Sequence, residues 1–124
     1  EEADDLAGRP LRDLAESADF AQGLVRRGVA ARVIVARGPE GSVLASADQR
    51  LHSRAADVPV RSKVGAGDTF VGAFALAHAR GAPAEEALTR AVAAASAAVM
   101  SEGTALCRRE DAERLMENCP AMAI

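Results

Sequence analysis

An α/β fold follows from three stretches of the sequence. Leu11, Leu14, Ala18, Ala21 and Val25 recur at three- and four-residue steps, the mark of an amphipathic helix. A β-branched run, Arg32-Val33-Ile34-Val35-Ala36-Arg37, comes next and stops at Gly38-Pro39-Glu40-Gly41, as a buried strand ending in a tight turn does. After Val64 the chain turns alanine-rich with helical periodicity, so helices are expected to layer on strands.

Taken in order, the first helix is expected to open at Pro10, whose fixed φ suits a first turn, and to close at Arg26-Arg27-Gly28. The Arg32–Arg37 strand, the turn, a second strand over 42–46 and a third over 50–56 follow, with Asp48-Gln49 as the turn between the last two and Val58-Pro59-Val60 as an edge or exit segment. Gly65-Ala66-Gly67-Asp68-Thr69 then leads into Phe70-Val71-Gly72-Ala73-Phe74-Ala75-Leu76-Ala77, which is apolar almost all round and therefore reads as a buried helix ending at Gly81. Pro83 and Glu85-Glu86 open a further helix that runs through Val99 and ends at Gly103, and residues 109–117 read as a short final helix.

With 124 residues the chain suits one domain or part of one, and 49% apolar against 27% charged residues is the balance of a chain with a core. Aromatic residues are 2%, namely Phe20, Phe70 and Phe74, and the net charge is −3. Neither the stacking platforms nor the basic footprint of a nucleic-acid binder is present, and an anionic membrane surface is equally disfavoured. The most apolar stretch, residues 91–100, is half the ~20 needed to span a bilayer. Cys107 and Cys119 lack metal or redox spacing and are expected to be reduced, which points to a cytoplasmic protein. A start at Glu1-Glu2-Ala3-Asp4-Asp5 suggests a piece of a longer chain.

The chemistry is concentrated in Val64-Gly65-Ala66-Gly67-Asp68. Two glycines before a helix let backbone N–H groups approach a ligand, and with the positive end of the helix dipole they make an anion site. Asp68 beside that cradle is placed to accept a proton from an attacking hydroxyl, which suggests phosphoryl transfer. The same letters also describe a tight turn with Asp68 as a helix cap, and spacing alone does not separate the two. A dinucleotide fingerprint would need a third glycine where Phe70 stands, and a P-loop would need a glycine-lysine pair, whereas the only lysine, Lys63, follows Ser62. His52 and His78 have no partner at metal-ligand spacing. Arg26-Arg27 and Arg108-Arg109 read as solvated or helix-end charges.

Residues 64–74, Val-Gly-Ala-Gly-Asp-Thr-Phe-Val-Gly-Ala-Phe, resemble the second signature of the ribokinase-like (PfkB-type) carbohydrate kinases. Arg37-Gly38-Pro39-Glu40-Gly41 resembles that family's nucleotide-side turn, and Gly103-Thr104-Ala105-Leu106-Cys107 is similar to the minor type of 6-phosphofructokinase. The resemblance covers nearly the whole chain. It implies a three-layer α/β/α fold with a mixed, mainly parallel sheet, and places residues 1–124 as the C-terminal nucleotide-binding and catalytic portion. The N-terminal sugar-binding portion, its lid and most of the Mg²⁺-positioning Asn-x-x-Glu element would lie outside, with Glu1 or Glu2 at that element's edge.

By the same resemblance Asp68 is the base, and the N–H groups of Gly65, Ala66 and Gly67 form the anion hole. ATP contacts fall on Gly38, Gly41, Val92 and Ser96, although simple helix packing accounts equally well for Val92 and Ser96. A monovalent cation, K⁺, is implied at the carbonyls of Ser62, Val64, Ala98, Ser101 and Gly103, which water or backbone donors would otherwise satisfy. Three residues depart from the pattern: Ala36 where a hydroxyl is frequent, Lys63 where Thr is common, and Ala105 where the 6-phosphofructokinases often carry Arg. The implied activity is ATP-dependent phosphorylation of a sugar or sugar phosphate, fructose 6-phosphate or fructose 1-phosphate first. A nucleotide-binding module without turnover, or a kinase for another sugar or nucleoside, are the alternatives. The 32–37 strand, without an upstream neighbour, would leave an open edge and favour a homo-oligomer.

Overall fold

The computed structural model describes residues 2–101 and 109–124. Helix α1 (Glu2–Ala7) is followed by α2 (Leu14–Arg26), strands β1 (Arg32–Ala36), β2 (Ser42–Ser46) and β3 (Arg50–Ser53), helices α3 (Ala66–Ala79), α4 (Ala84–Met100) and α5 (Arg109–Leu115), and strand β4 (Ala121–Ala123). Gly103, expected to end the fourth helix, lies outside the described residues. The α4 helix ends at Met100.

The helix expected to open at Pro10 is α2, and it starts at Leu14. Asp13 takes the N-cap, its Oδ1 accepting the Glu16 N–H at 2.8 Å, while Glu16 reaches back to the Arg12 N–H at 2.6 Å. That reciprocal pair satisfies two otherwise orphaned donors, so the cap chemistry of Asp-x-x-Glu outweighs the φ preference of Pro10.

The sheet corrects the expected mainly parallel arrangement. Its order is β1-β2-β3-β4 and every pairing is antiparallel; between β1, β2 and β3 the turns at Gly38–Gly41 and Ala47–Gln49 are too short for a crossover. Register puts Ile34 opposite Leu44 and Leu44 opposite Leu51, and these side chains face one way. Val33, Val35 and Ala45 face the other way. Residues on the first face pack with Leu88, Val92 and Ala97 of α4, Leu115 of α5 and Cys119; those on the second pack with Ala21 of α2. The result is an α/β/α sandwich with α2 below the sheet, α4 and α5 above it, and α3 laid against α4. The third strand stops at Ser53 rather than running to residue 56, and the three residues of β4 pair with it.

The reading of the apolar helix also changes. Among its residues only Ala77 is buried, while Val71 is 65% and Leu76 52% exposed. Phe70 and Phe74 touch the core with their inner edges. Apolar sequence called for cover on all sides; within this chain α4 covers one.

Candidate active site

The glycine loop is held by the last turn of α4. After β3 the chain runs along that helix, and the Ala56 N–H donates to Ser96 Oγ at 3.1 Å. Five residues further on, the N–H groups of Arg61 and Ser62 both donate to the Val99 carbonyl, at 2.7 and 3.2 Å. Ser96 and Val99 are three residues apart on α4, a rise of ~4.5 Å, so the intervening residues bow outward with Asp57, Pro59 and Val60 exposed. Ser62 Oγ then accepts the Val64 N–H at 3.2 Å and turns the chain toward α3.

Gly65 is the N-cap of α3, with φ 81°, a left-handed conformation that an L side chain adopts only with strain. No side chain caps the helix. Its first ladder bond runs from the Thr69 N–H to the Gly65 carbonyl at 2.9 Å, and the Ala66 N–H makes only a long turn contact of 3.4 Å with the Lys63 carbonyl. The N–H groups of Gly65, Gly67 and Asp68 donate to no other described residue, as expected for the opening of a helix. A Cβ at Gly67 would meet nothing within 4 Å, so the approach to these donors is open. Asp68 is exposed in the first turn, and its carboxylate is neither the cap nor in an ion pair with a described residue. Donors, a dipole's positive end and a carboxylate therefore share one solvent-facing loop.

The nucleotide-side positions divide into two pairs. Gly38 (φ 58°) is exposed at the start of a 3₁₀ turn that Pro39 and Glu40 complete, whereas Gly41 (φ 90°) is buried against the backbone of Ser53 and Arg54. Val92 is 3% exposed in the core and Ser96 5%, its hydroxyl engaged by Ala56. The turn and the glycine loop lie at the two ends of residues 54–64.

Sequence reading overlooked Arg37. Its guanidinium donates to the Leu11 carbonyl at 2.8 Å, Ser17 Oγ at 2.7 Å and the Arg12 carbonyl at 3.1 Å, and it pairs with Glu40 at 3.2 Å. It thereby ties the Gly38 turn to the start of α2; the available signal was an arginine wedged between a strand and a glycine turn.

Of the five carbonyls considered for a cation, that of Ala98 accepts the Ser101 N–H at 3.1 Å, while those of Ser62, Val64 and Ser101 accept no bond from described residues. The bonds to Val99 bring the two segments together. Gly103 lies outside the described residues, as do Glu1, Ala105 and Cys107. His52 Nε2 meets the Glu40 carbonyl at 2.7 Å, and His78 stacks on Phe74. No cluster of three or more His, Cys, Asp or Glu side chains suited to a metal occurs among the described residues. Likewise, among them no helix is long and apolar enough to cross a membrane.

Cys119 is buried, and burial pushes its thiol above the ordinary range; the Ser96 hydroxyl, the Ala56 backbone and the charge of Arg54 offset part of that rise.

Known proteins resemble this chain in sequence and in fold. The chain is 36% identical over 110 residues to the ATP-dependent 6-phosphofructokinase isozyme 2 of Escherichia coli K12, covering 89% of this chain and 36% of that protein. Its structure superposes on crystalline phosphofructokinase-2 from Escherichia coli in complex with potassium with a TM-score of 0.88 at 35% identity, covering 94% of this chain and 38% of that one. Ribokinase from Thermotoga maritima gives 0.77 at 29% identity, with 94% and 38% covered, so the α/β fold is ribokinase-like. This chain thus spans little more than a third of the length of these relatives. Residues 1–111 match the model of the pfkB family carbohydrate kinases, and the chain belongs to that family.

Proposed function

We propose that the Gly65–Asp68 loop is the phosphoryl-transfer centre of an ATP-dependent sugar-phosphate kinase, acting on fructose 6-phosphate or, second, fructose 1-phosphate. One observation carries the reading: α3 opens on a left-handed glycine with no side-chain cap, leaving the N–H groups of Gly65, Gly67 and Asp68 without a described partner beside an exposed Asp68 that pairs with no described cation. In this reading the N–H groups of Gly65, Ala66 and Gly67, with the α3 dipole, stabilise charge on the oxygens of the transferring phosphoryl. As the acceptor hydroxyl oxygen attacks the γ-phosphorus of ATP, the bond from that phosphorus to the β–γ bridging oxygen breaks, ADP leaves, and the hydroxyl proton passes to an Asp68 carboxylate oxygen. Asp68 at a helix N-terminus is a weak base, but a loose transition state needs little early deprotonation, so its main task is to orient the hydroxyl.

The Gly38–Gly41 turn would border the nucleotide, with Val92 and Ser96 shaping the α4 wall behind it. Mg²⁺ would arrive with the nucleotide's phosphates and neutralise their charge. The carbonyls of Ser62, Val64 and Ser101, which accept no bond from described residues, suit K⁺, a weakly charged ion that oxygen dipoles can hold.

Asp68→Asn, made in a kinase that carries this chain as its C-terminal portion, tests the reading. The expected result is a kcat at least ~10²-fold lower with ATP affinity nearly unchanged, since the N–H groups survive the change. Near-native turnover would overturn it.

A further inference from the structure

A row of side chains crosses the sheet where the Gly38–Gly41 turn joins β1 to β2. Register sets Ala36 opposite Ser42 and Ser42 opposite Ser53, and alternation along each strand puts all three on the face that bears Ile34, Leu44 and Leu51, toward α4. Two buried hydroxyls on this side are engaged within the protein. Ser53 Oγ donates to the Cys119 carbonyl at 2.7 Å, and Ser96 Oγ accepts the Ala56 N–H at 3.1 Å. Ser42 differs from both: it is 4% exposed, yet its hydroxyl bonds to no described residue. Nor is that hydroxyl sealed in, since the buried side-chain polar atoms among the described residues that lack both a partner and contact with solvent are the Nε atoms of Arg37 and Arg50. Its surroundings belong to neither edge of the sheet, because β2 has a strand on each side. Burying an unpaired hydroxyl costs stability that a methyl group in its place would not, so an acceptor from outside the chain accounts for it.

We propose that Ser42 is a nucleotide-binding residue, its hydroxyl donating to an oxygen of ATP bound along the Gly38–Gly41 turn. The inference rests on the reading of this chain as part of an ATP-dependent kinase. Ser42 follows Gly41 directly and faces the side of the sheet on which α4 carries Val92 and Ser96, so it forms floor between the turn and that wall. Ala36, its partner across the register, offers no hydroxyl where one is frequent in the family. Ser42 supplies one from the neighbouring strand, and the Cβ atoms of directly opposed residues lie only roughly 4.5–5.5 Å apart. The turn beside it is fixed. The Glu40 carbonyl meets His52 Nε2 at 2.7 Å, the Glu40 carboxylate pairs with Arg37 at 3.2 Å, and the Arg37 N–H donates to the Gly41 carbonyl at 2.8 Å. A donor already held in place loses little freedom on meeting its acceptor.

Ser42→Ala, made in a kinase that carries this chain as its C-terminal portion, tests the proposal. The KM for ATP should rise at least ~5-fold while kcat and the KM for the sugar phosphate hold, because the bond is made alike in ground and transition states. Without nucleotide the urea midpoint should stay level or rise, since no internal bond is lost, and the stabilisation conferred by ATP should shrink. Adding Ala36→Ser to Ser42→Ala should recover most of the lost ATP affinity, the hydroxyl returning from across the strand pair. An unchanged KM for ATP overturns the proposal. A folded double variant that recovers nothing overturns it too, because the two positions then serve no common acceptor, and so does an equal rise in both KM values, which marks a general disturbance of the site. The two readings fail apart. An inactive Asp68→Asn enzyme whose Ser42→Ala counterpart keeps its KM for ATP retains the transfer centre and loses this inference alone, whereas near-native turnover of Asp68→Asn overturns the transfer centre however Ser42→Ala behaves.

Discussion

Gly41 shows how far one absent methyl group shapes this molecule. A Cβ there would stand 2.0 Å from the Ser53 carbonyl oxygen and 2.6 Å from the Arg54 Cα, both backbone atoms with little freedom to move, and φ is 90°. Gly41→Ala should therefore lose at least ~2 kcal/mol of stability, read as a lower urea midpoint. Gly38→Ala, at φ 58° but with nothing within 4 Å, should lose only ~1–2 kcal/mol, the cost of the left-handed backbone alone. Equal losses at the two positions would contradict the close approach to β3. Cys119 gives a pH prediction. Its folded thiol holds the proton to higher pH than the unfolded one, so the associated stability is fully present below the ordinary thiol range of about 8.5 and is lost as pH rises through it. Wild-type protein should lose more stability between neutral and alkaline pH than Cys119→Ala, measured by urea unfolding at each pH. Cys107, common to both, cancels in the comparison.

Elements act here through what anchors their ends. The N-terminus of α3 can serve as an anion site because residues 61–64 are hung on the Val99 carbonyl, and the same bonds gather the proposed cation carbonyls from two distant parts of the sequence. Rates of a kinase carrying this chain should therefore fall when K⁺ is replaced by tetramethylammonium, an ion too large for a carbonyl cradle. Equal rates in the two buffers would remove the cation from the proposal. The helices α2 and α4 were legible from periodicity because their buried faces are contained within the chain, with ten of the seventeen α4 residues buried, although the Asp13 cap that starts α2 was not. The burial of α3 was not legible, because apolar letters report a need for cover and not which piece of chain supplies it. Strand β4 was missed for a related reason: Ala121-Met122-Ala123 has no β-branched residue, and only pairing with β3 makes it a strand.

At the scale of the whole molecule, the proposed function makes this chain one half of a two-substrate site. Phosphoryl transfer depends on holding both reactants in line, an effect worth up to ~7–11 kcal/mol, and this chain spans little more than a third of the length of its relatives. The 124 residues alone should bind ATP with Mg²⁺ by calorimetry yet give no measurable phosphorylation of fructose 6-phosphate in a coupled assay. Robust turnover would show that the acceptor pocket is built within this chain. The sequence by itself determined the α/β layering, the positions of the long helices and the place of the glycine loop proposed to carry the chemistry, since each is written in local periodicity or the φ demands of glycine. Tertiary structure decided the antiparallel order of the sheet, the burial of Val92 and Ser96, the exposure of α3 and the suspension of residues 61–64 from α4. Those depend on contacts between residues tens of positions apart, whose partners no local pattern names.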